Sequence, residues 1–219
     1  MDLVAGIDEA GRGALAGPVV AGACVISVPL FRRRSTMPRW SPFKKKTDND
    51  FLIADSKLLS PDEREHSFSW ITEHCHWGVG IVSETVIDER GILFATQQAM
   101  LLALEDLCSR CRPELLLIDG RDRFRFPIPH RSIIRGDQTE PAIAAGSIVA
   151  KVTRDRIMRE QSGEFPLYGF HLHKGYGSAE HLEKIKKYGP CSMHRRSFLR
   201  GILENQELPL ITEEIPIHP

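Results

Sequence analysis

The chain has 219 residues, 42% hydrophobic and 26% charged, the profile of a globular protein with enough apolar material for a real core. Its 29 basic and 29 acidic residues cancel to a formal net charge of zero, so a nucleic-acid partner would have to be met by local positive charge. No apolar run approaches the length of a membrane span, the N-terminus lacks the pattern of a signal peptide, and the scattered, odd-numbered cysteines read as reduced thiols of a cytoplasmic protein.

Leu3 to Asp8 is expected to form a short buried strand, and Pro18 to Val28, rich in Val, Ile and Ala, a second one antiparallel to it across a Gly-rich turn. Residues 29–54 break the pattern with Arg32, Arg33, Arg34, Arg39, Lys44, Lys45 and Lys46 among prolines, and read as a basic surface loop. Ser60-Pro61-Asp62-Glu63 is a helix start with a capping box, and the helix should run to about His76. A strand over Trp77–Ser83, a long helix over Ile92–Cys108 and a buried strand over Glu114–Asp119 follow. Residues 131–135 form a further candidate strand. Helices are expected from Ala142 to about Glu160, from Ser178 to Tyr188 and from His194 to about Leu203, with a tail over the last ten residues. Strands first, then strands alternating with helices, indicate an α/β domain with a mixed sheet.

Acids recur where apolar runs end. Asp8 and Glu9 sit where the first strand meets Gly11, so Asp8 could close the strand while Glu9 enters the turn and swings toward the same site. Asp119 ends the run Leu115-Leu116-Leu117-Ile118 before Gly120, and Asp137 follows Arg135-Gly136 just ahead of a helix. In an open α/β sheet, functional groups gather where strand ends meet helix starts, so these acids could converge. Converging carboxylates repel and call for protons or a cation. Oxygen-only ligands suit Mg²⁺ or Mn²⁺ rather than zinc, and two such ions would suit phosphodiester hydrolysis. Taken singly, each acid could equally be a solvated turn residue or a helix cap.

The order of short motifs along the chain resembles that of the ribonuclease HII (type 2 ribonuclease H) family. The matching stretches are Asp8-Glu9-Ala10-Gly11-Arg12-Gly13, Asp55-Ser56-Lys57, Ile118-Asp119-Gly120, Gly136-Asp137, the run from Ala144 to Asp155, His173-Lys174-Gly175-Tyr176-Gly177, Gly189-Pro190, and His194-Arg195-Arg196-Ser197-Phe198. The resemblance implies a ribonuclease H-like mixed β-sheet flanked by helices over residues 1–160, with a C-terminal helical, substrate-binding portion and tail over 161–219. It also implies an endoribonuclease that cuts the RNA strand of RNA–DNA hybrids, and 5′ of ribonucleotides embedded in DNA, leaving 3′-hydroxyl and 5′-phosphate ends. It carries over Asp8, Glu9, Asp119 and Asp137 as catalytic acids binding two Mg²⁺ or Mn²⁺ ions. Gly11-Arg12-Gly13 becomes the reader of the ribose 2′-hydroxyl, and Tyr176 the platform stacking on the next deoxyribose. The expected partner is an RNA–DNA hybrid or a ribonucleotide-containing DNA duplex, with a monomeric enzyme and no membrane. Gly146, where the family often has Ala or Ser, and the long basic loop depart from the family pattern.

The residues support the sensor reading on their own. A Gly-x-Gly turn leaves backbone groups bare, and a 2′-hydroxyl is both donor and acceptor. Lys57, Lys151, Lys174, Arg195 and Arg196 are candidate phosphate contacts, and Arg12 would add another. Asp155 lies roughly 20 Å along its helix from the helix start, outside the metal set, and is expected to pair with Arg154 or a neighbouring basic residue. Cys108-Ser109-Arg110-Cys111 and His74-Cys75-His76 could hold zinc only by meeting in space, and read as incidental. His171 and His173 read as nucleic-acid or surface contacts. Two other readings exist. Gly11-x-Gly13-x-x-x-Gly17 resembles a dinucleotide-binding turn with Arg32–Arg34 for an NADP phosphate, but Asp8 and Glu9 would repel a pyrophosphate and a strand follows where that motif needs a helix. A non-catalytic hybrid-binding module would not need the intact acid set.

Overall fold

The computed structural model describes residues 3–26, 39, 40, 52, 53 and 55–203. The basic loop expected over 29–54 therefore lies almost wholly outside the described residues, as does the C-terminal tail. Within that region the backbone pairing of β3 (Arg39–Trp40) with β4 (Leu52–Ile53) is defined, and Ile53 is buried.

A five-stranded sheet carries the fold. β1 (Val4–Ala10) and β2 (Val19–Val25) pair antiparallel, as the glycine-rich turn between them predicts. β5 (His76–Val82) adds antiparallel to β2, whereas β6 (Leu115–Asp119) adds parallel to β1 and β7 (His130–Ile133) parallel to β6. The sheet is thus mixed, in the order β5-β2-β1-β6-β7.

Two long helices cover its faces. α3 (Ile92–Cys108) packs on β5 and β2, building a core from Ala99, Ala103, Leu107, Ile7 and Ile118. α5 (Pro141–Glu164) crosses β1 and β2 on the other face. There Ala145, Ile148 and Val149 meet Trp70 and Ile71 of α1 (Pro61–His74), whose Ser60 cap and Glu63 form the expected capping box. α5 lies so close to the sheet that a Cβ on Gly22 would stand 2.3 Å from the Gly146 carbonyl oxygen, and one on Gly146 would stand 2.7 Å from the Gly22 oxygen. Gly146 is therefore a point of close backbone approach between helix and sheet.

The C-terminal portion comprises α6 (Phe170–His173), α7 (Ala179–Tyr188) and α8 (Arg196–Leu203). It shares a small core with the sheet domain, in which Tyr168 and Phe170 pack with Ala16 and Met158. α5 runs without a break through residue 160 to Glu164. Three short helices, α2 (Glu84–Arg90), α4 (Gly136–Thr139) and α6, were not expected from the sequence. At seven, four and four residues they are too short to show a helical period. Among the described residues no helix is long and apolar enough to cross a membrane.

Candidate active site

β1 and β6 run parallel with Ile7 opposite Ile118, a register that carries the next residues, Asp8 and Asp119, to the same edge of the sheet. β6 ends there, and β7 leads through Arg135, held left-handed at φ 56°, into α4, which supplies Asp137. Carboxylate oxygens of Asp8, Asp119 and Asp137 all lie within 4.8 Å of one another. Three of the four acids expected from the sequence therefore converge.

The fourth, Glu9, is placed differently from expectation. β1 continues to Ala10, so Glu9 remains in the strand opposite Ala21 instead of entering the turn. Its carboxylate accepts from Arg12 Nη1 at 3.4 Å, and the same nitrogen donates to Asp122 Oδ2 at 2.5 Å. It stays close enough to Asp119 for that charge to raise its pKa, after burial and against Arg12.

The cluster is electrostatically loaded. Burial, then Glu9 and Asp119, hold the Asp8 carboxyl well above the usual carboxylate range. Burial, Asp119 and Asp55 raise that of Asp137, against Lys57 Nζ at 3.4 Å from its Oδ2. Asp119 is held in place by the amides of Gly136 and Asp137, which donate to its Oδ1 at 2.6 and 3.4 Å. Around it, Asp55 accepts from the Lys57 amide and from Gln138 Nε2, and Ser147 hydrogen-bonds Ser56. Asp55, Ser147 and Asp122 were not singled out from the sequence. Asp55-Ser56-Lys57 was visible as a motif, but its link to α4 depends on tertiary placement. The hard, oxygen-only donor set fits a divalent cation of the Mg²⁺ type, which would offset the repulsion among these carboxylates.

The matching family model is that of ribonuclease HII, over residues 42–201. The ribonuclease HII of Acetivibrio thermocellus is 45% identical over 202 residues, covering 92% of this chain and 71% of that one. The chain belongs to the ribonuclease HII family. It is a metal-dependent ribonuclease H enzyme. The ribonuclease HII of Rickettsia bellii is 44% identical over 206 residues, 91% of each chain. The crystal structure of ribonuclease H2 from Pyrococcus horikoshii OT3 superposes with a TM-score of 0.70 at 29% identity, over 92% of this chain and 97% of that one.

Against the family's motifs, the remaining expected site residues divide. Gly11, at φ +89°, and Gly13 flank Arg12 at the end of β1, and Gly13 is exposed. Tyr176 is 36% exposed, with Arg154 and Lys151 against its ring at 5.2 and 5.4 Å. The two elements are joined, since Leu15 and Ala16 amides donate to the Gly175 carbonyl at 2.8 and 3.2 Å. Lys57 is largely exposed, and the Arg196 side chain is on the surface. Lys151 is paired with Asp155 at 2.8 Å, so Asp155 meets a neighbouring basic residue as expected, but not Arg154. Lys174 donates to the His171 carbonyl, and with Lys151, Tyr176, Arg64 and Arg159 it lines one groove.

Arg195 departs from its expected role. It is fully buried and cannot reach a phosphate in this position. Its guanidinium donates to the carbonyls of Gly17 and Arg12 instead. Arg154, equally buried, donates to those of Pro18, Ala16 and Lys174. His173 is also internal in role: its Nε2 bonds the Tyr168 carbonyl while its Nδ1 accepts from the Gly175 amide. A histidine chain supports Tyr176. The Cys191 amide donates to His194 Nδ1, His194 Nε2 lies 3.1 Å from His181 Nε2, and His181 Nδ1 lies 2.9 Å from the Tyr176 carbonyl. With a carbonyl at one end and an amide at the other, both rings must be neutral, His194 donating to His181 and His181 to Tyr176. Among the described residues, Asp8, Asp119 and Asp137 are the group of possible metal ligands that comes together, and it includes none of Cys108, Cys111, His74, Cys75 and His76.

Proposed function

We propose that the chain hydrolyses the RNA strand of RNA–DNA hybrids and cuts 5′ of ribonucleotides embedded in DNA, leaving 3′-hydroxyl and 5′-phosphate ends. The observation that carries the reading is the approach of Asp8, Asp119 and Asp137 to within 4.8 Å at the end of the strand that leads into Gly11-Arg12-Gly13, of which Gly13 is exposed. In this reading Asp8, Glu9, Asp119 and Asp137 hold two divalent cations, Mg²⁺ or Mn²⁺. Such ions, when bound, supply an activated water and stabilise the leaving oxygen. The chain's own groups do the rest. α4 amides fix Asp119, Lys57 balances Asp137, and Arg12 restrains Glu9 until a phosphate competes for the guanidinium. Backbone groups of Gly11–Gly13 meet the 2′-hydroxyl, and Tyr176 offers its face to the following sugar, where a deoxyribose presents no hydroxyl to the ring. The protein acts as a monomer in the cytoplasm, in replication-linked removal of ribonucleotides.

The test is cleavage of three duplexes in Mg²⁺ and in Mn²⁺: one embedded ribonucleotide, four in a row, and all-RNA opposite DNA. Cutting should fall 5′ of the ribonucleotide at each ribo–deoxy junction. Tyr176→Ala should slow the single-ribonucleotide substrate by about one to two decades, and the all-RNA hybrid far less. Equal loss on all three would make Tyr176 structural, and no metal-dependent cutting of any would end the proposal.

A further inference from the structure

Arg195 is a buried cation with no ion pair among the described residues. Burying a guanidinium is costly unless its donors are satisfied, and carbonyls do that work here. Nε and Nη2 donate to Gly17 at 2.9 and 2.7 Å, and Nη1 donates to Arg12 at 3.1 Å. The Arg195 amide also donates to Leu15 at 2.8 Å, so backbone and side chain grip the same loop from one side. Phe198 lies against the guanidinium at 5.3 Å and limits its swing.

The bond to Arg12 has a consequence one atom further on. A trans peptide is planar, with its C=O and N–H pointing in opposite directions. An Arg12 carbonyl drawn inward by Arg195 turns the Gly13 amide outward. That amide has no hydrogen-bond partner among the described residues, and space for a Cβ beside it is open. We propose that Arg195 is a positioning residue for 2′-hydroxyl recognition, orienting the Arg12–Gly13 peptide so that the Gly13 N–H faces the sugar. The inference rests on the reading of Gly11–Gly13 as the sugar sensor. It replaces the phosphate-contact role that the residue's sequence position had implied. Lysine could keep the charge but has one nitrogen, and cannot hold Gly17 and Arg12 together in the same planar fork.

The experiment measures binding of the full chain, in Ca²⁺ to suppress turnover, to duplexes differing only in one 2′-hydroxyl. Wild type should prefer the ribonucleotide-containing duplex. Arg195→Lys should shrink that preference about tenfold, the value of one lost hydrogen bond, with affinity for the all-DNA duplex unchanged. Equal loss on both duplexes with a shallower salt slope would make Arg195 a phosphate contact and overturn the proposal. A lower melting temperature with the preference intact would make it a structural strut and overturn it too. Phe198→Leu, which frees the guanidinium without removing its donors, should shrink the preference in the same direction and serves if Arg195→Lys does not fold. Gly13→Ala separates the two levels. If it abolishes the preference while Arg195→Lys and Phe198→Leu do not, the sensor stands and the Arg195 role fails. If wild type has no preference, both fail.

Discussion

Replacing Asp119 with Asn separates charge from geometry at the acid cluster. Asp119 Oδ1 accepts both α4 amides, and an Asn carbonyl oxygen can accept the same two bonds. What disappears is a negative charge whose carboxylate oxygen lies within 4.8 Å of those of Asp8 and Asp137. At that distance two unit charges repel by about 3.5 kcal/mol at an effective dielectric of about 20. Burial and this repulsion shift both the Asp8 and Asp137 carboxyls upward, and Lys57 Nζ, 3.4 Å from Asp137 Oδ2, offsets part of it. A net gain of about 2 kcal/mol is expected for Asp119→Asn without metal at mildly alkaline pH, or about 4–8 °C in melting temperature for a chain of this size. Added Mg²⁺ should reverse the order, since it stabilises the intact cluster by mass action and the variant much less. Thermal melts in chelator and across a Mg²⁺ titration, with a cleavage assay alongside, read all of this. Cleavage should be lost in the variant. A variant less stable than wild type in chelator, or one stabilised by Mg²⁺ as strongly as wild type, would refute the charge argument.

The flanking glycines of the proposed 2′-hydroxyl sensor should respond differently. A Cβ on Gly11 would lie 1.9 Å from Arg154 Nε at φ +89°, so Gly11→Ala should cost about 1–3 kcal/mol of stability. Gly13→Ala meets nothing within 4 Å and should leave the melting temperature nearly unchanged while cutting turnover, and wild-type turnover by it would reject the sensor role. Burial lowers the His181 and His194 pKa values to about 4 and about 3 from 6.5, so both rings are neutral in the fold and charged when it opens in acid. Their stabilisation is fully present above pH 6.5 and is lost as pH falls toward the folded values, His181 alone contributing about 3 kcal/mol. His181→Gln should flatten the acid limb of a stability profile between pH 6.5 and 4, and an unchanged limb would show that the ring is not held neutral.

The acids were legible because each interrupts an apolar run or precedes a helix signal, and strand ends in such sheets share an edge. The long helices were legible from period and caps: Ile92–Cys108 came out to the residue. Glu9 was misplaced because the end of a strand depends on pairing, and β2 keeps partners for β1 out to Ala10. α4 could not be read from four residues, and it is what brings Asp137 to Asp119.

Arg195 marks a different boundary. In sequence it is one of two adjacent arginines, and nothing local separates the buried one from the exposed one. The distinction arises because residues 12–17 leave carbonyls facing inward, where a neutral side chain would strand them. A guanidinium offers up to five N–H groups in a plane, enough to satisfy several carbonyls of an irregular loop at once. Arg154 does the same for Ala16, Pro18 and Lys174, so two cations together support one backbone segment. Burial, and then repulsion by Arg154, push the Arg195 pKa down to about 9, which still leaves it charged at neutral pH. A loop held this way is rigid before any substrate arrives, and a rigid peptide group can discriminate one hydroxyl because it cannot turn away when that hydroxyl is missing.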